Sequence, residues 1–588
     1  LKQEHPQASF STAAQSAPVA MFNEPEQSLD WLSRVMPVGA QRGRNQADWL
    51  LHLGSPARQA AVPASVPFAS ARWTLPLSND ATTLSSIENE RNVLRTQKGH
   101  PLPLVTPLAV GDSLLLPTQD GLQAIDIRSG RPLWPIDNAR EFDNQGIARR
   151  IWRDAAFGSL ATDGHTVYLV TGNDELPDDS LATGNSQVIF WRGGPWGGEQ
   201  GGLEAAVQNR LTAVSIAGQG KLLWSLDGDS PEHPELAGGT FLGNPLPYGG
   251  QLFVLVEVQG AIRLYCLDAA SGSVDWWQEL AVVENNIGSD VFRRMAGASP
   301  SISDGVVVCP TSAGGVVAVD LATRSLLWAY QYPRLPKSMN DPNRGLTPTI
   351  RQGERWIDAS AVIAGRRVVV TPPESDEIHC LDLFTGEVLW SQKRGQSLYL
   401  AAVQGGLAVL VEAKQMTAVQ LENGNSAWKL PLPAEVSGRG VLSKSGQYHL
   451  PLANASILQV DLAEGKNLGA VRACRSLTPG HLSWHARLFI SMGPQYIEAY
   501  DDRQDLQTRM EELAAKTPQD PELLYDRGRI ALTDGNLPAA VESFRGAWQG
   551  GKSSRYRAAL VSALQDASAA NLPDSAGYRK QLDKLLGF

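Results

Sequence analysis

Disulfide chemistry has little to work with in this 588-residue chain, which carries four cysteines. Cys266, Cys309, Cys380 and Cys474 lie far apart, with no CxxC pair among them. Cys266 and Cys380 fall in a repeated slot that elsewhere holds Ala124, Ala213, Ala318 and Ala418. That slot wants a small buried residue, so these read as buried thiols rather than disulfide partners or metal ligands. Compartment is left open by them. No apolar run approaches the ~18–20 residues needed to cross a bilayer. A basic surface is also missing: the net charge of −10 is spread along the chain, which argues against a nucleic-acid partner. The glycine-rich stretch 191–202 (WRGGPWGGEQGG) lacks the Gly-Lys-Ser/Thr ending and the flanking strand and helix of a phosphate loop. Residues 1–30 hold no signal-peptide core, and the chain starts at Leu1; a leader already removed, or outside this chain, is the expectation.

Turn formers and tryptophan are abundant, with 55 Gly, 37 Pro and 16 Trp, as a turn-rich β protein needs. A phrase recurs: a small residue, Asp two positions on, Gly at six and Trp at ten. Ala124, Asp126, Gly130 and Trp134 form one copy; Cys266, Asp268, Gly272 and Trp276 another; Cys380, Asp382, Gly386 and Trp390 a third. Leu211 to Trp224 has one extra residue in its turn. Val316 to Trp328 has Arg324 for Gly, and Met416 to Trp428 has Gln420 for Asp. Ile457 to Gly469 keeps Asp461 and Gly465 without the Trp. Such a phrase at intervals of roughly 40–60 residues is the signature of a β-propeller. Leu488 to Tyr500 supplies inner strands of one more unit and no final strand. The stretch 72–77 (RWTLPL) reads as an orphan outer strand that completes it. Closure removes two exposed edges, and the expected fold is an eight-bladed propeller with Trp73 as its clasp. The simplest role for Trp73, Trp134, Trp224, Trp276, Trp328, Trp390 and Trp428 is packing between blades, with the Asp bonding turn amides.

Scaffolds carry function in loops. Four insertions are long: 135–153, 172–207, 277–296 and 329–356. The first, third and fourth link an outer strand to the next inner strand; the second joins the middle strands of blade two. Both connection types emerge on one face, over blades one to five. Trp191 and Trp196 sit in the glycine-rich insertion, as a lid with aromatic contacts or as part of a spacer. Arg149, Arg150, Arg153, Arg293, Arg294 and Arg355 stand just before inner strands. They read as a basic collar able to hold an anion, or as partners of Glu141, Asp143, Asp290 and Asp358.

After about residue 503 the period becomes helical. Residues 504–516 are amphipathic, and Leu524, Gly528, Ala531, Gly535, Ala540, Phe544 and Ala547 fit the two-helix tetratricopeptide pattern, opened by Asp520-Pro521. Residues 553–587 read as a weaker pair. So short an array must lean on the propeller, pair with another chain or begin a longer array. The expected division is 1–70 as N-terminal extension, 71–503 as propeller and 504–588 as helical domain.

The phrase A-x-D-x-x-[TS]-G-x-x-L-W resembles the repeat of pyrroloquinoline-quinone-type (quinoprotein-like) propellers, over about 73–502. Together with Asp48-Trp49, the stretch 54–58 (GSPAR) and the helical tail, the order looks like that of the exported propeller–tetratricopeptide proteins of planctomycete-type bacteria, which are largely uncharacterised. The resemblance implies one of two classes. Quinone-dependent dehydrogenases pair an adjacent Cys-Cys disulfide with a Ca²⁺ site of Glu, Asn and Asp that polarises the quinone. Non-catalytic scaffolds, such as the propeller lipoprotein of outer-membrane barrel assembly, bind proteins. No two cysteines are adjacent here. The expectation is therefore a periplasmic or otherwise exported scaffold without catalytic, cofactor or metal residues. It would bind protein partners through the loop-rich face and the helical tail. The alternatives are a dehydrogenase holding pyrroloquinoline quinone and Ca²⁺ on the axis, and a carbohydrate or anion binder using Trp191, Trp196 and the arginine collar.

Overall fold

A computed structural model describes residues 51–96, 99–118, 121–134, 144–172, 209–285, 287–288, 290–335, 355–472, 477–570 and 573–586, with two-residue strands at Ser9–Phe10 and Val19–Ala20. Eight sheets, antiparallel except for one parallel pair in blade seven, follow one another along the chain as blades. Blade four shows the pattern: Ser301–Ser303, Val306–Pro310, Gly315–Asp320 and Ser325–Gln331, paired in that order. Its second strand is buried throughout, as a strand covered on both faces must be. Outer strands carry polar residues toward solvent instead. In Val274–Val282 of blade three, burial alternates over most of the length. Among the described residues blade one has three strands, and Pro132 bridges Ile125 where the fourth would lie.

The ring closes as the orphan strand requires. Pro67–Pro76 pairs antiparallel with Tyr496–Asp502 as the outer strand of blade eight, with Trp73 opposite Ala499. Each repeated tryptophan clasps the next blade. Trp73, Trp134, Trp224, Trp328, Trp390 and Trp428 lie over Gly130, Gly220, Gly272, Gly386, Gly424 and Gly465, all at positive φ. A Cβ on Gly386 would come within 2.6 Å of the Trp328 ring, so the close approach itself demands glycine. Several indoles also donate to a carbonyl beside the turn, as Trp73 does to Ile127 at 2.9 Å and Trp328 to Leu383 at 2.8 Å. The Asp accepts from turn amides, for example Asp268 from Ser271 N at 2.8 Å. Arg324 takes the left-handed conformation in place of glycine (φ 57) and lays its guanidinium 5.7 Å from the Trp276 ring centre. The missing Trp in blade seven has a topological cause. Blade eight draws its outer strand from the N-terminal side, so it has no third-to-fourth turn to receive one.

Two expected boundaries shift. The outer strands Val274–Val282 and Ser325–Gln331 run into the insertions placed at 277–296 and 329–356. Alternation carries those strands beyond the repeat phrase. Residues 51–70, assigned to an N-terminal extension, are built into the propeller. Leu51 bridges Ala161 of blade two, Ile302 N of blade four donates to Pro56 O, and Ile363 N of blade five donates to Ala57 O. Ala61–Val62 then pairs parallel with the innermost strand of blade seven, Val441–Ser443. Innermost strands line the axis, so this segment crosses the central channel and descends along blade seven.

Helix α1 (Ala81–Thr96) lies between blades eight and one and packs on α2 (Asn144–Arg153). Trp152 Nε1 donates to Ile87 O at 3.0 Å across that contact. Short helices α3 (Ala155–Gly158) and α4 (Val291–Met295) follow blades one and three. All four sit in outer-to-inner connections, so they share the loop-bearing face.

The described residues of the tail form helices α5 (Arg503–Lys516), α6 (Pro521–Thr533), α7 (Leu537–Gly551), α8 (Ser554–Ala569) and α9 (Ser575–Leu586). Asp520 caps α6 through the amides of Glu522 and Leu523, with Pro521 in the first turn. Gly528 lets α6 approach Phe544 of α7, where a Cβ would sit 2.6 Å from the ring. The tail leans on the closing strand. Arg529 of α6 is 1% exposed, pairs with Asp501 and Asp526, donates to Ser70 O and lies over the Phe68 ring. Arg72 and Arg509 also reach Asp501, each at 3.2 Å.

Candidate functional site

Of the expected collar, Arg153, Arg293 and Arg355 are engaged with the protein's own groups. Arg153 pairs with Glu90 of α1, and Arg293, 2% exposed, sits between Glu257 and Asp290 at 3.0 Å from each. Arg355 bonds Asp376 and the Ser375 carbonyl, not Asp358. Arg149 and Arg150 are half-buried on α2, with Arg150 5.5 Å from the Phe157 ring centre. Arg294 has its pKa lowered by burial against the pull of Asp154 and Asp290. Trp191, Trp196, Glu141 and Asp143 lie outside the described residues.

What the fold gathers on the axis is a different set. Asp358 accepts a long bond from His52 Nε2 at 3.4 Å, an amide bond from Ser360 at 3.0 Å, and an ion pair with Arg439 at 3.6 Å. Burial pushes the Asp358 carboxyl up, but His52 and Arg439 outweigh it and hold it well below the usual carboxylate range. Arg439 stacks over Trp356 and Tyr399, at 5.5 and 5.3 Å from the ring centres. Trp356 lies 5.2 Å from the His481 ring, and its Nε1 donates to Pro103 O at 3.2 Å. Arg439 N donates to His481 Nδ1 at 2.8 Å, so the His481 proton is on Nε2, which donates to Pro103 O. Burial drives the His481 pKa down to about 4, so the ring is neutral at pH 7.

The channel segment brings in Arg58, at φ 58 and 3% exposed. Its terminal nitrogens donate to His52 O, Ser299 Oγ and Pro300 O. Burial lowers its pKa to about 10, opposed by Asp358. Nearby Arg394 bonds the carbonyls of Thr371, Pro372, Ser397 and Leu398, and burial first of all lowers its pKa to about 9. Sequence reading missed this set because its members share no spacing. One signal was present. Asp358 and Arg439 precede the inner strands of blades five and seven, and His481 opens that of blade eight, the same kind of position as the collar arginines.

With the segment in place, a cavity of about 50 Å³ remains, lined by residues including His52, Arg58, Arg439, Tyr448, His481 and Ser483. That is room for a few waters or a handful of heavy atoms. A tricyclic quinone needs far more. Among the described residues, no three His, Cys, Asp or Glu are placed to hold a metal ion. The axial residues present do not fit the quinone–calcium pair.

Residues 207–343 and 340–473 match the family described as "Outer membrane protein assembly factor BamB", across blades two to seven. The repeat is thus of the quinoprotein-like kind. The curated protein of that name from Moranella endobia (strain PCIT) is 25% identical, over 38% of this chain and 66% of its own length. The chain therefore spans just under two thirds of that relative. Among solved structures, BamB from Moraxella catarrhalis covers 68% of this chain and 96% of its own (12% identity, TM-score 0.41). The quinohemoprotein alcohol dehydrogenase from Comamonas testosteroni covers 81% and 83% (11% identity, TM-score 0.48).

Proposed function

We propose that this chain is a non-catalytic scaffold of the cell envelope, exported to the periplasmic side, which binds protein partners in an outer-membrane assembly. The observation that carries the reading is the closed axis: the space where a propeller enzyme would seat its cofactor is filled by residues 51–62 of the chain itself. The match of the central blades to an assembly-factor family supports it. So does the construction of the loop-bearing face, where α1 and α2 form a packed helical platform with Ser85, Asn89 and Asn92 turned to solvent. A platform of this kind suits a protein partner, since rigid helices lose little entropy on docking.

The test is site-specific photo-crosslinking in cells from Ser85, Asn89 and Asn92. Crosslinks to a component of outer-membrane protein assembly are the expected result. Purified protein incubated with pyrroloquinoline quinone and Ca²⁺ should show neither saturable quinone binding nor alcohol-dependent dye reduction. Quinone-dependent turnover would overturn the proposal.

A further inference from the structure

One carboxylate serves two buried guanidiniums on the axis. Arg58 and Arg439 both lie within the influence of Asp358, and His52 draws on the same group. Among the described residues, no carboxylate lines the cavity between them. A buried charge is ordinarily paired, because leaving it uncompensated costs several kcal/mol.

The cavity wall is also short of hydrogen-bond partners. Arg58 Nε and Ser483 Oγ have none, Arg439 Nη1 has only its 3.6 Å ion pair with Asp358, and Gln59 Oε1 is an acceptor without a donor; Arg58 and Ser483 are 3% and 5% exposed. All four residues line the same cavity. A buried unmade hydrogen bond costs about 1–3 kcal/mol, more for a charged donor. Two cationic N–H donors and a hydroxyl around one small space describe a seat for an anion. Water could answer the donors and would leave the charge unbalanced. The wall is mixed beyond these: Leu53, Val362, Ala402 and Leu442 give it an apolar part, beside the polar Gln59 and Thr106.

We infer that this axial cavity binds a short-chain carboxylate of about two to four carbons. The carboxylate would accept from Arg58 Nε, Arg439 Nη1 and Ser483 Oγ, and the alkyl end would meet the apolar part of the wall. Charge-assisted bonds to a planar carboxylate suit guanidinium donors, and the volume bounds the tail. This site is independent of the partner-binding reading, since it opens on the axis and not on the α1–α2 platform.

Calorimetric titration of the full chain with acetate, propionate and butyrate, at constant ionic strength, tests it, with chloride and phosphate as comparison anions. Saturable binding of the carboxylates is expected. Ser483→Ala should weaken it at least about tenfold, the loss of one charge-assisted bond. Ala402→Leu fills the cavity without touching a cation and should abolish binding, and Arg58→Gln should do the same. Arg58 holds three backbone and side-chain groups, so a fold check by circular dichroism accompanies it, and Ser483→Ala with Ala402→Leu decide the matter if it unfolds. No saturable heat, equal heats from chloride or phosphate, or heats unchanged in Ala402→Leu would each overturn the assignment.

Discussion

Replacing Trp73 with alanine probes whether the ring is held shut by its first strand. The indole lies over Gly130 and donates to Ile127 O at 2.9 Å, and it is half-buried. Deleting a fully buried large aromatic costs roughly 3–5 kcal/mol, so the partial exposure here brings the figure to about 2–3 kcal/mol. Trp428 is an internal control. It is also half-buried, over Gly465, with its N–H 3.0 Å from Leu462 O. The two losses are therefore equal in size and different in consequence. Blade six, which carries Trp428, is continuous in sequence, whereas in blade eight Thr74 bonds Glu498 across 424 residues of chain. Losing the clasp should let the closing strand detach locally while the other blades stay paired. Hydrogen exchange read by mass spectrometry should then rise about 30- to 150-fold in peptides covering 67–77, the factor that 2–3 kcal/mol implies, with blades three to five unchanged. Trp428→Ala should raise exchange at blades six and seven instead. Trp277, 44% exposed and beside Trp276, should cost about 1 kcal/mol when truncated, since it offers only an Arg263 contact and a distant Tyr265 ring. Exchange in 67–77 unchanged by Trp73→Ala, or raised uniformly around the ring, would refute the clasp.

Arg529→Ala removes the central cation and leaves Asp501 and Asp526 to Arg72 and Arg509 at the edge of the cluster, so it should cost about 2–3 kcal/mol, below the full cost of an unpaired buried charge, seen as early release of the helical tail in urea titrations. Stability should fall below neutrality. Burial drops the pKa of His449 and His481 from 6.5 to about 4, so neither folded nor unfolded chain takes up these protons above pH 6.5. Below that the unfolded chain binds protons that the folded one refuses, and stability is lost as pH falls from 6.5 toward 4, by about 3 kcal/mol per histidine. Both His449 ring nitrogens lack partners, so His449→Leu should flatten that slope, read from urea midpoints at pH 7.5, 5.5 and 4.5, without cost at pH 7.5. Arg324→Gly restores the turn glycine at φ 57. Relief of left-handed strain, about 1–2 kcal/mol, should exceed the lost contact with Trp276 and raise the melting temperature by a few degrees.

The ring was legible because its constraints are local. Gly386 must be glycine for Trp328 to lie on it, and Asp382 must be near enough to cap the same turn, so both fall in one short phrase. The closing strand was legible for a related reason: an outer strand that precedes every blade has no partner except at the far end. The axial set was hidden because its members come from separate segments. Arg58 lies in a stretch with no repeat, Asp358 at the end of an insertion, and Arg439 and His481 in two different blades. Only the folded channel joins them. Helix α1 was missed as well, since its three buried residues, Thr83, Ile87 and Leu94, are too sparse to mark a helix of sixteen residues.

The helical tail spends one of its own surfaces on the propeller. Tyr525, Asp526 and Arg529 of α6 are buried, and Arg529 reaches the backbone of the closing strand at Ser70. That side of the first helix pair is therefore closed to a partner while the ring is intact. The last helix differs, with none of its described residues buried and Leu586 42% exposed. A partner meeting the tail must come to α8 and α9. The tail starts where the third strand of blade eight ends, at the face of the short turns, and α1 and α2 lie on the opposite face. One rigid partner domain cannot readily span both. Photo-crosslinkers at Asn89 and at Lys580 of α9 should accordingly capture different proteins, or different regions of one long partner. Capture of a single compact domain by both positions would mean that the tail swings away from the closing strand, and Arg529→Ala should then increase that shared capture rather than abolish it.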